Sequence, residues 1–555
     1  MPQSLCTRRH GLTLLLILSC CVASGGNAQD TPVSPEAAAE IPDAAQLEKN
    51  GAVIGEIYIN PQNIFDNNDP KESGQLYRLA NQLHIQTRPY VIAQQLLFKS
   101  GDRYSQRLLA ESERILRGNR FLYDASVKPV AYHDGKVDVA VVTRDVWTLN
   151  PGISFGRHGG QNTYGFEIEE LNILGTGTSL TLSRKSGIDR DSTLLQFKDP
   201  HLLGTWANLD VKYADNSDGY QRGFSLNHPF YALDTRWASG MTVLDDDRVE
   251  PLYDLGKTVA KFRERQKFGE AYWGWSHGLD GGWTRRWSVG VTYDDKQFDV
   301  APDWTGRTLL PEDRKLVYPW IGFDLIQDDF ARYHNHDQIG RTEDFYLGTR
   351  FGMRLGWADA GLGSDRSALL FSANAGHGFG ESERSTLVMS GVIDGRLEDG
   401  TLRNTVFDAS LRYYNKQSEK RLFFTTLAAS AGRNLDLDNQ ILLGGDNGLR
   451  GYPLRYQAGE ASALLTMEER YFTDWYPLRL FRIGGAVFFD VGRTWGSTEV
   501  SSPSQGWLKD VGVGLRIGNS RSGLGNIIHV DLAFPLDGDP SISKVQLLVE
   551  TKQRF

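Results

Sequence analysis

The last twelve residues, Lys544–Phe555 (KVQLLVETKQRF), alternate between two kinds of side chain. One face of an extended chain would carry the mostly apolar set Val545, Leu547, Val549, Thr551 and Phe555. The other face would carry the polar set Lys544, Gln546, Glu550, Lys552 and Arg554. Successive side chains of a strand point to opposite faces, so a period of two indicates a strand between an apolar medium and water.

Three earlier segments repeat this pattern: Asn526–Leu536, Asp510–Gly518 and Ile483–Gly492. In the last of them Val487, Phe489 and Val491 are predicted to face outward, and Phe488 and Asp490 inward. From Trp147 onward, strands of roughly ten residues separated by Gly, Asp and Asn turns continue to the end, and we count about twenty of them. A soluble β-sandwich is the alternative, since its strands also alternate.

The first 28 residues predict a secretory signal peptide. Arg8 and Arg9 precede the apolar stretch Leu12–Val22, and Gly26-Asn27-Ala28 supplies small residues for cleavage after Ala28. A twin-arginine signal and lipid attachment at Cys20 are two less favoured interpretations. All three cysteines precede Ala28, which excludes disulfides and thiolate metal sites from the remaining chain.

The composition further narrows the possible classes of protein. Without Arg8 and Arg9 the chain has 58 basic and 69 acidic residues, a net charge of −11, which argues against nucleic-acid binding. No stretch after the signal peptide approaches 18 consecutive apolar residues. Because lipid cannot hydrogen-bond to backbone amides, a membrane protein without such helices must form a closed β-barrel.

The chain divides into a predicted flexible tether (29–50), an α+β domain (51–146) and a barrel (147–555). In the domain, the order β-α-α-β-β follows from a strand at Ala52–Ile59, a helix opening at Thr87-Arg88-Pro89, a helix at Ser105–Gly118, and a hairpin of Phe121–Val130 with Lys136–Thr143. Three long segments in the barrel suggest extracellular loops: 246–257, 298–314 and 435–461.

The last of these loops contains an unusual motif, Gly444–Pro453 (GGDNGLRGYP). Its glycines allow close backbone approach, and its one arginine, Arg450, lies between Leu449 and Gly451-Tyr452. If the loop folds back into the barrel lumen, Arg450 can meet the inward-facing Asp490. A charge-assisted pair is stronger in such a partly dehydrated interior than at the surface.

These motifs together resemble the Omp85 superfamily. The resemblance rests on Leu-Arg-Gly-Tyr in a loop followed by five strands, on Phe489-x-Asp-x-Gly, and on the terminal Phe555. Residues 51–146 are similar to its polypeptide-transport-associated (POTRA) domain, and Asn172–Gly177 and Asp199–Gly204 are similar to early barrel turns of its assembly branch. The resemblance implies a barrel of sixteen strands, a loop motif of Leu449, Arg450, Gly451 and Tyr452, and a partner motif of Phe489, Asp490 and Gly492.

The resemblance also implies a function in the bacterial outer membrane: insertion or translocation of β-rich polypeptides by strand addition, with no catalytic residue, cofactor or metal. Clients would pair with an edge of the POTRA-like domain, held in the periplasm, and with the seam between Trp147–Arg157 and Lys544–Phe555. Pro151 and Gly152 weaken that seam, unless Pro151 only marks the entry into the barrel. Lipids, unfolded clients and periplasmic or lipoprotein partners are the expected contacts. Phe555 is also typical of a barrel's own assembly signal.

Three other functions compete: secretion of one dedicated partner protein, passive diffusion through a porin, and an outer-membrane enzyme. His334-Asn335-His336-Asp337 could hold a metal, but we interpret it as a solvated turn. Asp245-Asp246-Asp247 could bind a cation, but we interpret it as a solvated charge run in a surface loop. No phosphate-binding loop is present.

Overall fold

The computed structural model describes residues 41–523 and 527–552. The predicted signal peptide and Phe555 lie outside these residues. The N-terminal unit contains helices α1 (Ala44–Lys49), α2 (Gln75–Leu83), α3 (Pro89–Ala93) and α4 (Gln106–Arg117), and strands β1 (Val53–Gln62), β2 (Leu122–His133) and β3 (Lys136–Asp145). Strand β3 lies at the centre of the sheet, parallel to β1 and antiparallel to β2.

Local signals explain most of these elements. Pro89 stands at the first turn of α3, and Gly118 ends α4. Asp134 and Gly135 both have positive φ, as a two-residue β-hairpin requires. Helix α2 makes the order β-α-α-α-β-β. The sequence suggests a short helix near Leu76–Leu83, but the predicted order β-α-α-β-β did not count it.

Part of the segment predicted to be a flexible tether is helical. Asp43 accepts a hydrogen bond from the Gln46 amide at 2.8 Å and so caps α1. Leu47, at the centre of this helix, is fully buried in the core of the N-terminal unit. A capped turn with one apolar anchor was too short to show a helical period in the sequence.

The remaining strands follow in chain order: β4 (Leu149–His158), β5 (Gln161–Glu170), β6 (Ser179–Ser186), β7 (Asp191–Asp199), β8 (Asn208–Asn216), β9 (Gly219–His228), β10 (Trp237–Asp254), β11 (Lys257–Asp280), β12 (Trp283–Val300), β13 (Arg314–Gln327), β14 (Phe330–His334), β15 (Thr342–Tyr346), β16 (Arg350–Ala358), β17 (Ala368–Ser382), β18 (Ser385–Glu398), β19 (Thr401–Ser418), β20 (Arg421–Arg433), β21 (Ile441–Leu443), β22 (Gln457–Gly459), β23 (Ala461–Phe472), β24 (Phe481–Trp495), β25 (Leu508–Asn519), β26 (Ile527–Pro535) and β27 (Gln546–Lys552).

Within the described residues, twenty of these strands form one closed antiparallel barrel, in which β27 pairs with β4. The count made from the sequence is therefore confirmed, and the sixteen strands implied by the family resemblance are wrong for this chain. Strands β14–β15 and β21–β22 form two separate hairpins in the connections β13–β16 and β20–β23. We call the barrel end that carries the N-terminal unit the domain end, and the opposite one the far end.

The predicted loop at 246–257 is also wrong, because β10 extends through residue 254 in a long hairpin with β11. Asp246 and Asp247 are buried in this hairpin rather than solvated. Arg248 lies 2.5 Å from Asp246, and Arg263 donates to both oxygens of Asp247 at 2.6 and 2.8 Å. One arginine comes from the same strand and the other from the neighbouring strand β11, and this neutralisation cannot be read from three consecutive aspartates.

The outer surface of the barrel is apolar. On β24, Val487 is 60% exposed while its neighbour Phe488 is 2% exposed. The same outward exposure applies to large apolar side chains around the barrel, including Trp273, Val291, Ile321, Val513 and Leu547. A wide exposed apolar band on a closed barrel is typical of a membrane-spanning protein and excludes a soluble sandwich. Among residues 41–523 and 527–552, no helix is both long and apolar enough to cross a membrane.

Candidate functional site

The connection between β20 and β23 folds from the far end back into the lumen. Glycine permits its close contacts with the barrel wall. A Cβ at Gly451 would lie 2.6 Å from Cβ of Asp510, and a Cβ at Gly159, in the β4–β5 turn, would collide with the backbone of Leu454. Gly448 also has a φ of 116°, which disfavours any other residue. The glycine-rich composition is therefore a requirement of the inward fold.

Arg450 lies near the middle of this connection between β20 and β23. Its Nε and Nη2 donate to the two carboxylate oxygens of Asp490 at 2.7 and 2.9 Å. Its Nη1 donates to Glu468 at 2.8 Å, and its guanidinium carbon lies 3.4 Å from the centre of the Phe488 ring. Arg450 is 5% exposed and Asp490 is fully buried. The structure thus brings together the two residues that the sequence placed in contact.

Four further charged residues complete the network and were not predicted as part of this site: Glu468, Arg470, Arg516 and Asp531. Arg470 donates to Glu468 at 3.0 Å, and Arg516 pairs with Asp531. Asp531 also lies 3.4 Å from Arg450. Their only sequence signal was an inward position on alternating strands. We call the group Arg450, Glu468, Arg470, Asp490, Arg516 and Asp531 the lumen network.

The other motif residues have packing roles. Leu449 and Tyr452 are fully buried, and the Tyr452 hydroxyl lies 2.7 Å from the Lys509 carbonyl oxygen. Gly492 leaves room for the loop, because a Cβ there would lie 2.8 Å from the Leu443 side chain. Phe489 lies on the opposite face of β24 from Asp490 and does not form the aromatic contact with Arg450, which comes from Phe488.

A second arginine attaches the same loop to the far rim of the barrel. Arg455 donates to both oxygens of Asp189, in the β6–β7 turn, at 2.9 and 2.8 Å. Its guanidinium carbon lies 4.2 Å from the centre of the Tyr253 ring on β10. The loop therefore crosses the far opening between opposite walls.

The β14–β15 hairpin enters the lumen from the domain end. Its tip includes His336 and Asp337, which are 0% and 9% exposed, so our interpretation of this segment as a solvated turn is wrong. The Tyr414 hydroxyl on β19 donates to Asp337 at 3.0 Å, and Arg470 donates to the His336 carbonyl oxygen at 3.0 Å. Ile339 packs with apolar side chains of the surrounding wall. We call residues 328–349 the plug hairpin.

The plug hairpin is also attached to the N-terminal unit. Arg117 of α4 donates to both oxygens of Asp344 at 2.8 and 2.6 Å, and the Tyr123 hydroxyl of β2 donates to the Gly340 carbonyl oxygen at 2.8 Å. Polar contacts therefore run from Arg450 through Glu468 and Arg470 to the hairpin and on to the N-terminal unit. Cavities of about 670 and 990 Å³ remain beside the loop and the hairpin.

Glu343 is a carboxylic acid of the plug hairpin whose protonation affects how the hairpin packs in the lumen. Its carboxylate accepts hydrogen bonds from the amides of His336 and Asp337, each at 2.9 Å. Burial, reinforced by the nearby Asp337 carboxylate, raises the pKa of Glu343 to about 7. This carboxyl group thus titrates near neutral pH.

The first and last barrel strands, β4 and β27, meet at a seam with few paired residues. Within β4 and the described part of β27, one registered pair joins the strands, Val549 with Arg157, whereas β4 and β5 share ten. Pro151 and Gly152 are registered with Ile168 and Glu167 of β5. Pro151 has no amide hydrogen to give to either neighbour. Phe555, the third predicted seam residue, lies outside the described residues.

No protein-family model matches the sequence, and comparison with curated proteins gives no match. Solved structures do match. BamA from Haemophilus ducreyi lacking POTRA domains 1–3 is 13% identical, with 89% of this chain and 84% of that chain covered and a TM-score of 0.38. CdiB from Acinetobacter baumannii is 14% identical, with 90% and 73% covered and a TM-score of 0.44. CdiB from Escherichia coli is 10% identical, with 91% and 77% covered and a TM-score of 0.45. The chain is similar to these proteins at the level of a large β-barrel.

Proposed function

We propose that this chain is an Omp85-type protein of the bacterial outer membrane that inserts β-rich polypeptides by strand addition at its own seam. It acts without a catalytic residue or a cofactor. The observation that carries the proposal is the contrast between a seam with one registered pair, Val549 with Arg157, and a lumen entered by a loop from one end and a hairpin from the other.

Strand addition needs backbone groups that a client can reach. A poorly registered edge offers amides and carbonyl groups as a template, and side-chain pockets add modest selectivity. At β4 the missing amide of Pro151 and the flexibility of Gly152 lower the cost of separating the strands. A client strand entering between β27 and β4 would recover those hydrogen bonds inside the membrane, where unpaired backbone groups are costly.

The N-terminal unit supplies a first docking edge in this proposal. Strands β1 and β2 each pair with β3 on one side and so form the two edges of the sheet. Glu113 of α4 accepts the Val127 amide of β2, which leaves the later part of that strand as the more accessible edge. In this orientation the domain end faces the periplasm, where unfolded clients arrive.

The lumen closures favour insertion at the seam over steady passage through the pore. Arg450 fixes the loop between β20 and β23 to three acidic residues of the wall. The plug hairpin lies in the lumen at the domain end. A porin needs an open aqueous channel, which these contacts obstruct. We therefore place the client path at the barrel wall rather than along its axis.

The test is a folding assay in phospholipid vesicles that contain the purified chain. A urea-unfolded outer-membrane barrel is added, and its folding is followed by heat-modifiable migration in gels. We expect folding several times faster than in vesicles without the chain, and equal rates would contradict insertion. Large steady conductance in planar bilayers would instead indicate a porin, and hydrolysis of lipid or peptide would indicate an enzyme.

Two-partner secretion is the second candidate, and one observation favours it. The plug hairpin is held by Arg117 of the N-terminal unit, so a partner that binds this unit could release the hairpin and open the lumen. Passage of a dedicated partner would then follow the barrel axis. Loss of one secreted protein after deletion, with an unchanged outer-membrane proteome, would select this candidate over insertion.

A further inference from the structure

Helix α2 of the N-terminal unit has an apolar face that no described residue covers. None of its side chains is buried. Leu76, Leu79 and Leu83 are 58%, 49% and 65% exposed, and Ile85, just beyond the helix, is 51% exposed. Residues spaced by three and four lie on one side of a helix, so the three leucines form a single stripe. Tyr77 and Asn81, on another side, hold the helix to Phe65.

Contacts on both sides of α2 place it at the domain end beneath the seam. Before the helix, Arg521 at the end of β25 donates to Glu72 at 2.6 Å and to the Ile64 carbonyl oxygen at 3.0 Å. After the helix, Arg88 donates to the Leu174 carbonyl oxygen in the β5–β6 turn at 2.9 Å. The barrel strands between these two attachments are β26, β27, β4 and β5.

The turns around this position are also apolar and exposed. Leu174 is 58% exposed and Leu203, in the β7–β8 turn, is 92% exposed. Both have positive φ, 52° and 54°, in short turns that project their side chains from the barrel end. These exposed apolar side chains lie at the same end of the barrel as the stripe on α2.

We propose that α2 lies in the plane of the membrane, with Leu76, Leu79 and Leu83 in the acyl chains of the leaflet at the domain end. Charge supports a lipid partner, because the helix (QLYRLANQL) contains Arg78 and no acidic residue, as suits phospholipid headgroups. An extended client is a poorer fit, since a helix face offers no unpaired backbone edge. Anchored there, α2 would fix the N-terminal unit beneath the seam.

The experiment uses single-cysteine labelling of the whole mature chain. The sequence's own cysteines are Cys6, Cys20 and Cys21, so a chain that begins at Gln29 carries only the introduced thiol. Leu79→Cys carries an environment-sensitive fluorophore, and the protein is placed in phospholipid vesicles with or without a quencher on the acyl chains. Val130→Cys is the matched control, since Val130 is 47% exposed on β2 of the same unit. Heat-modifiable migration verifies that both barrels fold.

We expect acyl-chain quenching of at least about twofold at position 79 and little at position 130, since an in-plane helix buries its apolar face below the headgroups. Equal quenching at both positions would overturn the proposal. A blue shift at position 79 that appears only on adding an unfolded client, without lipid quenching, would also overturn it and identify a client surface. No client is needed for the main readout, so failure of insertion activity and failure of this inference are separate results.

Discussion

Arg117 of α4 donates two parallel hydrogen bonds to Asp344 of the plug hairpin, at 2.8 and 2.6 Å, and so couples the N-terminal unit to the contents of the lumen. The Arg117 side chain is 6% exposed and also pairs with Glu113. Bidentate pairs between an arginine and a carboxylate are among the stronger polar contacts in proteins. A buried polar contact therefore joins the N-terminal unit to the hairpin.

We expect Arg117→Ala to loosen the plug hairpin without unfolding the barrel. Removing this arginine leaves Asp344 and Glu113 without one cationic partner, so the hairpin should leave the lumen more often. Single-channel recording should show more frequent openings, by roughly tenfold if the contact contributes about 1.4 kcal/mol. Arg103→Ala, at an exposed position of the same N-terminal unit, is the control and should leave the conductance unchanged. Identical traces for both variants would show that the contact with the N-terminal unit does not hold the hairpin in the lumen.

Arg450→Ala should destabilise the barrel strongly, because it leaves Asp490, Glu468 and Asp531 buried near one another with less positive charge. Breaking a buried ion pair costs about 3–5 kcal/mol. The measurement is the free energy of unfolding in vesicles. Arg450→Lys should recover only part of the loss, since an ammonium cannot form the two parallel bonds to Asp490. Arg433→Ala, at an exposed position on β20, is the control.

A smaller loss is expected for Arg455→Ala, because its pair with Asp189 lies at the rim and is partly solvated. Partly exposed pairs contribute roughly 1 kcal/mol or less. The loop between β20 and β23 should become more mobile while the lumen network remains intact. Protease cleavage of the loop from the far side measures this directly. Cleavage as slow as in the unaltered protein would show that Arg455 does not anchor the loop.

Docking of the plug hairpin should weaken as the pH rises to neutrality. The pKa of Glu343 is raised to about 7 from an ordinary value of 4.5, so the docked hairpin binds the proton more tightly than the released one. This contribution is fully present below about pH 4.5 and is lost as the pH rises from there to about 7. Channel openings should therefore be rarer at pH 5 than at pH 8.

Glu343→Gln is the variant that isolates this effect, because an uncharged amide resembles the protonated acid. We expect it to remove most of the difference between pH 5 and pH 8 and to keep the lumen closed at both. A pH dependence that persists unchanged in Glu343→Gln would assign the effect to another group.

Period-two alternation was enough to predict the barrel and to give a count of about twenty strands, whereas the family resemblance implied sixteen. The alternation also predicted which side chains of β24 face outward, since Val487 and Phe488 could be assigned to opposite faces. The plug hairpin could not be predicted, because its residues are polar and resemble a turn until the barrel wall and Tyr414 surround them. The lumen network could be predicted only in part. A glycine-rich motif marks Arg450, but single inward charges such as Arg516 on separate strands carry no local pattern.

The seam gives the most direct test of the account. Arg157→Cys together with Val549→Cys places two thiols on the one registered pair between β4 and β27, so oxidation should lock the seam. The control places thiols on a registered pair within the wall, Leu532 and Leu547 of β26 and β27. In the vesicle folding assay we predict that the locked seam loses client insertion and regains it on reduction, while the control stays active in both states. Full insertion activity with the seam locked would contradict strand addition at this site.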